Sequence, residues 1–335
     1  MRISLVATVL NECGSLPAWL DALAVQSTPP DEFIVVDGGS TDGTLELLRS
    51  ARLPFPMIVM SAGGCNISQG RNIGIGVATG DVIAVTDAGT RAEREWLAAL
   101  TRPFAENPEL DIVGGFFTAQ ADDLWTEALA AATLPDADEL DAPSFLASSR
   151  SVAFRRRWFE RGFAYPEWLD YCEDVVFDLH LRRAGARQAL ATEAIVVFRP
   201  RPSPRDFFFQ YYRYARGDGK AGLFLHRHLI RYGVYAIACA LAARRRPREL
   251  AVAGIAGAFY VRRAVWRLLR RGSTDANRRL ALQIVLAGQQ IALGDAAKMA
   301  GYPAGLWWRF RRDRSVKFWK SGWKARNPTG HLPRI

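Results

Sequence analysis

The chain has 335 residues, of which 49% are hydrophobic and 23% are charged, so it is long enough for two domains and can bury a large core. Its formal net charge of +10 is unevenly distributed: residues 1–198 hold 15 Lys and Arg against 28 Asp and Glu, whereas residues 199–335 hold 29 against 6. The four cysteines are scattered without a C-x-x-C pair, which argues against a zinc site or a disulfide framework and fits a reducing cytoplasm.

The chain begins with an apolar run, "ISLVATVL", that ends in Asn11 and Glu12. The run has only about eight residues, so we interpret it as a first β-strand over residues 3–10 and not as a signal peptide. A helix over 15–25 and a second strand over 33–37 follow. Asn11 and Glu12 therefore stand at the carboxyl end of a strand, where they can accept hydrogen bonds from a ligand.

The second strand ends in Asp37 and leads into the glycine-rich turn "DGGSTDGT". Gly38 and Gly39 allow a ligand to approach the backbone closely, and residues 41–44 can cap a helix over 43–51. We predict that Asp37 binds a ligand. The alternative is that Asp37 only shapes the turn.

Two further strands, over 56–60 and 81–86, enclose a glycine-punctuated helix over 68–78 that carries Arg71. The later strand ends in Asp87. This alternation predicts an α/β fold with a Rossmann-like, mostly parallel sheet and helices on both faces. Because the carboxyl ends of parallel strands meet at one edge of a sheet, Glu12, Asp37 and Asp87 should line one cleft.

Farther along, a helix over 93–105 precedes two strand-like segments, "LDIVGGFF" and "SSRSVAFRR". These segments flank a long acidic stretch that contains Trp125. For this stretch the alternatives are a lid or acceptor-contacting segment and a peripheral helix.

The segment "YPEWLDYCEDVVFDLHLRRAG" predicts a helix with Asp170 at its N-cap and Glu173 three residues later, the spacing of a capping box. This assignment gives Glu173 a structural role and leaves Asp174 free to act on a substrate. The alternative is a salt-bridged surface helix, because Asp174, Asp178 and Arg182 follow one another at four-residue intervals.

The next segment, "SPRDFFFQYYRYARGDGKAG", predicts a helix that starts at Ser203 and Pro204. Its helical spacing places Gln210, Arg213 and Arg216 along one stripe. Such a cationic stripe can bind a leaving diphosphate. The same segment can instead rest on a membrane surface.

From residue 229 onward the chain predicts a basic helical region that associates with a membrane. Its apolar runs, Tyr232–Ala243 and Leu250–Val261, are shorter than the roughly 18–20 residues of a spanning helix. Arginine-rich flanks favour an anionic leaflet on the cytoplasmic side. We predict a peripheral or shallowly inserted protein at the cytoplasmic face of the plasma membrane, with a soluble basic helical domain as the alternative. The aromatic anchors would be Trp266, Trp307, Trp308, Trp319 and Trp323.

The ordered series V-x-N-E, V-V-D-G-G-S-T-D-G-T, G-R-N-x-G, D-A-G, C-E-D and Q-Y-Y-R-Y-A-R-G resembles the family 2 glycosyltransferases over roughly residues 1–220. This resemblance implies the nucleotide-sugar-binding fold called GT-A, here over residues 1–198, joined to the basic region 199–335. It implies a nucleotide diphosphate sugar as donor, with UDP preferred to GDP or dTDP.

The resemblance also implies roles for single residues. Asp37 contacts the base, and Asp87 lies at the ribose and the metal. Asp174 is the general base that deprotonates the acceptor hydroxyl, with inversion at the anomeric carbon. From its own chemistry, Arg71 can sit beside the nucleotide, because its fork geometry suits phosphate or a uracil carbonyl.

The chain departs from the family pattern at the metal site. Many relatives carry D-x-D, whose last carboxylate binds a divalent ion, whereas this chain has Asp87-Ala88-Gly89. Asp87 can still bind Mg²⁺ or Mn²⁺ directly or through water, because these ions keep several waters and bind diphosphate oxygens.

The basic region favours a glycan or lipid-linked acceptor of the cell envelope. Two alternatives remain, a nucleotidyltransferase and a non-catalytic protein that binds polyanions or membrane surfaces. Nucleic acid is not an expected partner, because Asp37, Asp87 and Asp174 make the cleft acidic.

Overall fold

The computed structural model describes residues 1–142, 144–244, 246–271 and 276–312. Trp319 and Trp323 of the predicted membrane anchors lie outside these residues. The described chain forms two compact units, one with residues 1–118 and 137–199 and the other with residues 119–136 and 200–312.

The first unit is built on an eight-stranded sheet of order β3-β2-β1-β4-β7-β6-β8-β5. Its first four strands pair in parallel, and β7 pairs antiparallel with both β4 and β6. The α/β fold and the strands predicted in the first 120 residues are confirmed. The strands are β1 Ile3–Val9, β2 Glu32–Asp37, β3 Met57–Ser61, β4 Val82–Val85, β5 Thr90–Ala92, β6 Ile112–Ala119, β7 Val152–Arg155 and β8 Gln188–Phe198.

Helices cover the sheet and form the second unit. Those of the first unit are α1 Leu16–Ala24, α2 Thr44–Ser50, α3 Ile67–Val77, α4 Trp96–Glu106, α6 Arg157–Glu160 and α7 Glu173–Arg183. Those of the second unit are α5 Leu124–Thr133, α8 Pro204–Ala221, α9 Leu225–Arg244, α10 Pro247–Arg271 and α11 Ala276–Arg312.

Both faces of the sheet are apolar, which explains the continuous apolar runs of its parallel strands. Along β1, Leu5 and Ala7 join one core with Trp19 of α1, whereas Val6 joins the other core with Ile75 of α3. The prediction of helices on both faces is therefore confirmed.

In the second unit, α8 begins as its sequence predicts. The Ser203 hydroxyl accepts a hydrogen bond from the Asp206 backbone N–H at 3.1 Å, and Pro204 is the first helical residue. Helices α8 and α11 pack with their backbones in close contact. A Cβ at Gly301 or Gly305 of α11 would clash with a carbonyl oxygen of α8, so the close approach depends on these glycines. Removing α11 would therefore expose the packed face of α8.

The acidic stretch with Trp125 forms helix α5, which is not the predicted peripheral helix, because its residues 128–131 are buried and Ala128 and Ala131 belong to an apolar core with α10 and α11. Asp123 caps it by accepting from the Thr126 N–H at 2.7 Å. The Trp125 indole donates to the Arg201 carbonyl at 2.9 Å, and Arg267 donates to the Ala131 carbonyl at 2.9 Å. These bonds join α5 to α10 and to the segment just ahead of α8, both far from it in sequence.

Within the described residues, one helical stretch, Arg278–Arg312, is long and apolar enough to cross a membrane by length and composition alone. One third of its most apolar window is buried inside the protein. Its middle carries Asp295, which is buried and accepts from the Arg231 Nε at 2.7 Å. This ion pair ties α11 to α9.

Candidate functional site at the strand ends

The carboxyl ends of β1, β2 and β4 lie side by side, since β1 pairs in parallel with both of the others. Asn11 follows β1 and adopts φ 56°, a left-handed conformation that asparagine tolerates. Its side-chain oxygen accepts from the Thr41 N–H at 2.9 Å, and its own N–H donates to the Ser40 hydroxyl at 2.9 Å. Asn11 thereby fixes the turn after β2.

Asp37 ends β2 and is fully buried. Its carboxylate accepts hydrogen bonds from the backbone N–H groups of Gly39 at 3.0 Å and Ser40 at 3.1 Å. The carboxylate thus holds the glycine turn in place, which is the turn-shaping alternative. Its contact with a nucleotide base stays a prediction.

Glu12 is half-buried and faces the turn that follows β4. Its backbone N–H donates to the Thr44 hydroxyl at 2.9 Å, and its carboxylate accepts from the Ser15 hydroxyl. A Cβ placed on Gly89 would lie 3.4 Å from the Glu12 Oε2. The Glu12 carboxylate and the Asp87-Ala88-Gly89 turn are therefore neighbours.

Arg71 of α3 is the centre of a buried ion-pair network. Only 1% of the residue is exposed, and its guanidinium contacts Glu173 Oε1 at 2.6 Å and Asp87 Oδ1 at 2.7 Å. It also lies over the ring of Tyr165, 5.1 Å from the centroid. Arg71 therefore joins the strand-end carboxylate Asp87 to the start of α7.

The predicted capping box at Asp170 is wrong. The helix begins at Glu173, not two residues earlier, because Cys172 before it adopts φ 65°, outside the helical region. Glu173 instead pairs with Arg71. Burial raises the pKa of the Glu173 carboxyl to about 7, with the Asp174 charge adding to the effect and Arg71 opposing it.

Asp174 lies in the first turn of α7 and is partly exposed. Its Oδ2 lies 3.3 Å from the Ser148 hydroxyl and 3.4 Å from the Ser149 N–H, both just ahead of β7. The start of β7 faces the end of β4, since Val152 pairs with Val85. Asp174 therefore has a carboxylate oxygen at the same edge of the sheet as Asp87.

Asp178, one helical turn beyond Asp174, is buried. The Arg182 guanidinium lies 3.8 Å away, as the alternative of a salt-bridged helix predicted for this pair. Burial raises the pKa of the Asp178 carboxyl to about 7, partly offset by Arg182. The folded protein therefore holds a proton on Asp178 over a pH range in which the unfolded chain has released it.

We expect Asp178→Asn to change the pH dependence of stability. A carboxyl whose folded pKa is raised stabilises the protein below its unfolded pKa of 3.8, and this contribution is lost as the pH rises toward 7. The free energy of unfolding of the variant, relative to the parent protein, should thus rise by on the order of a few kcal/mol between pH 4 and pH 8. Urea unfolding across this range measures it. The exposed Asp21→Asn is the control, and a constant difference for Asp178→Asn would contradict the expectation.

Gln210, Arg213 and Arg216 lie on α8 of the second unit. The Gln210 amide donates to the Tyr214 hydroxyl at 3.0 Å, whereas Arg213 is exposed and Arg216 is half-buried. Their role in binding the leaving diphosphate stays a prediction from the sequence.

Sequence reasoning missed the groups that hold the site residues. Glu173 received a capping role, and the hydrogen bond between the hydroxyl groups of Tyr165 and Ser149, at 2.9 Å, was not predicted. The Arg71–Glu173 pair spans 102 residues, so no local pattern signals it. In the described part of the chain, no three His, Cys, Asp or Glu side chains are grouped to hold a metal.

Known proteins are similar to this chain in sequence and in fold. The sequence model of the family described as "Glycosyl transferase family 2" matches residues 4–163. The O-antigen chain rhamnosyltransferase RfbN of Salmonella typhimurium is 25% identical over 224 residues, covering 63% of this chain and 71% of that protein.

Two solved structures show the fold. The mannosyltransferase PcManGT from Pyrobaculum calidifontis, in complex with GDP-Man and Mn²⁺, superposes with TM-score 0.56 at 19% identity over 91% of this chain and 87% of that one. TarS 1–349 of S. aureus, in complex with UDP-GlcNAc, has TM-score 0.50 at 20% identity over 64% of this chain. The match spans 66% of that TarS chain, just under two thirds. The predicted GT-A fold is confirmed.

Proposed function

We propose that this enzyme of the glycosyltransferase class, whose residues 4–163 match the model of glycosyl transferase family 2, transfers the sugar of a UDP-sugar to a cell-envelope glycan with inversion at the anomeric carbon. The observation that carries this proposal is the Arg71 network. It links Asp87, at the predicted donor edge, to the residue that precedes Asp174. A donor-binding carboxylate and a base are thereby held on one rigid frame.

In the proposed reaction, Asp174 accepts the proton of the acceptor hydroxyl while the hydroxyl oxygen attacks the anomeric carbon. The bond from this carbon to the diphosphate oxygen breaks, and the nucleoside diphosphate leaves with the electron pair. Asp174 suits this role because it is partly exposed and its Oδ2 is oriented by Ser148 and Ser149.

A divalent cation fits the oxygen donors at the strand ends. Asp87 has a partly exposed side chain, and the Glu12 carboxylate lies beside the same turn. Mg²⁺ and Mn²⁺ prefer such carboxylate oxygens together with diphosphate. When bound, the ion would neutralise charge on the leaving diphosphate.

The donor proposal predicts that UDP binds the first unit and that Asp37→Ala weakens this binding by about tenfold or more. The loss follows because the base or the glycine turn would lose its buried acceptor. Isothermal titration with UDP, GDP and dTDP, each with and without Mn²⁺, measures the affinities. Glu46→Gln, an exposed change on α2, is the control. Unchanged UDP affinity in a folded Asp37→Ala variant would contradict the assignment.

We also propose that the second unit rests on an anionic membrane at the cytoplasmic face, where a lipid-linked acceptor would be reached. Its helices α9 and α10 expose large apolar side chains, including Ile237 at 63% and Ile255 at 72%. Arginines stand at the ends of the same helices, which suits anionic headgroups. A charged group is costly at the centre of a bilayer, so the buried Asp295 of α11 favours contact with the membrane surface over a membrane-spanning α11.

The membrane proposal predicts that Ile237→Asp with Ile255→Asp lowers binding to phosphatidylglycerol-containing vesicles. The unchanged chain should bind and be released only in part by salt, since salt screens the arginines but not apolar insertion. Vesicle cosedimentation measures the bound fraction. Val25→Asp is the control, because Val25 is also exposed, at 60%, but belongs to the first unit. A full chain that stays in the supernatant at low salt would exclude the membrane role.

A further inference from the structure

The turn that follows β4 lacks the side chain through which many relatives bind their cation. Residue 89 is a glycine with φ 80°, and it directly follows Asp87-Ala88. A Cβ built on Gly89 would lie 3.4 Å from Oε2 and 3.9 Å from Oε1 of Glu12. The carboxyl group of an aspartate extends one bond beyond its Cβ, so the Glu12 carboxylate lies close to the space that a carboxylate on residue 89 could reach.

Glu12 is held firmly in that position. Its carbonyl oxygen accepts from the backbone N–H groups of Ser15 at 3.0 Å and Leu16 at 2.8 Å, which anchors it to the start of α1. Its own backbone N–H donates to the Thr44 hydroxyl, and the Ser15 hydroxyl donates to Glu12 Oε2. The carboxylate therefore loses little conformational freedom when it binds a ligand.

Asp87 alone is a weak ligand for a divalent ion. Its Oδ1 already accepts from the Arg71 guanidinium at 2.7 Å, which offsets its negative charge. Cation affinity at oxygen sites rises with the number of charged ligands. A second carboxylate beside Asp87 would therefore strengthen the binding of a cation, together with a diphosphate, at this edge of the sheet.

We propose that Glu12 supplies this second carboxylate, so that Glu12 and Asp87 together replace the D-x-D pair that the sequence lacks. The inference rests on the proposed donor function and assigns Glu12 to the cation rather than to the base or ribose of the nucleotide.

The test measures binding of Mn²⁺, alone and with UDP, by electron paramagnetic resonance and isothermal titration. Glu12→Gln keeps the size of the side chain and removes its charge. We expect it to weaken Mn²⁺ binding in the presence of UDP by about tenfold or more, with little change in UDP affinity without metal. Glu46→Gln is the matched control on an exposed helix position. Equal Mn²⁺ affinity in Glu12→Gln, or an equal loss of UDP affinity with and without metal, would overturn the inference.

A transplanted carboxylate gives the sharper test. Glu12→Ala should lose Mn²⁺ binding, and Gly89→Asp added to it should restore the affinity to within about threefold, since aspartate tolerates positive φ better than most residues. Failure of a folded double variant to regain Mn²⁺ would overturn the inference. If the unchanged protein binds none of UDP, GDP and dTDP, the donor function fails instead, and the Mn²⁺-only titration of the same variants still decides the role of Glu12.

Discussion

Asp174→Asn is expected to lower the rate of sugar transfer by a factor on the order of 10² to 10⁴ while leaving donor affinity nearly unchanged. The amide keeps the size of the carboxylate and can accept from the N–H of Ser149, which now lies 3.4 Å from Oδ2. It cannot take the proton of the acceptor hydroxyl. Release of nucleoside diphosphate from UDP-GlcNAc and from GDP-mannose, with water as the acceptor, gives a rate without knowledge of the natural acceptor.

The alternatives for the base lie close by. Glu173 and Asp170 are the next carboxylates in the segment, so Glu173→Gln and Asp170→Asn are compared with Asp174→Asn. Glu173 is a poor candidate on geometry, because only 8% of its side chain is exposed and its oxygen is bound to Arg71. A near-normal rate in Asp174→Asn would place the base elsewhere.

The sequence predicted the features that depend on local patterns. The strands β1 to β4 follow from continuous apolar runs, and the start of α8 follows from Ser203 and Pro204. The cap of α7 was mispredicted because the D-x-x-E spacing fits a capping box, whereas the chain passes through a left-handed residue at Cys172. A motif of four residues carries no information about the tertiary contacts that stabilise this conformation.

Interactions between distant segments could not be predicted from one sequence. Helix α5 lies in the middle of the chain and packs with the C-terminal helices, which no periodicity in its own sequence reveals. The proximity of Glu12 to Gly89 likewise arises only when β1 and β4 pair.

Arg71→Met is expected to have the largest effect on stability, because it leaves the buried Glu173 carboxylate without its partner. Breaking a buried ion pair from one side costs about 3–5 kcal/mol. Loss of the guanidinium raises the folded pKa of Glu173 above its value of about 7 in the parent protein, so the extra loss appears as the pH rises through about 7. Urea unfolding at pH 5 and pH 8 should therefore show a smaller difference from the parent protein at pH 5.

A second substitution distinguishes the effect of Arg71 on Glu173 from its effect on Asp87, the two carboxylates that it contacts. Arg71→Met with Glu173→Gln should recover most of the lost stability, because no buried charge remains unpaired. It should not recover the affinity for UDP with Mn²⁺, because without the guanidinium contact at 2.7 Å the Asp87 Oδ1 is no longer held in position, and we expect this loss to outweigh the gain from its unpaired charge. If the double variant binds UDP and Mn²⁺ like the parent protein, Arg71 stabilises only the start of α7 and does not position Asp87.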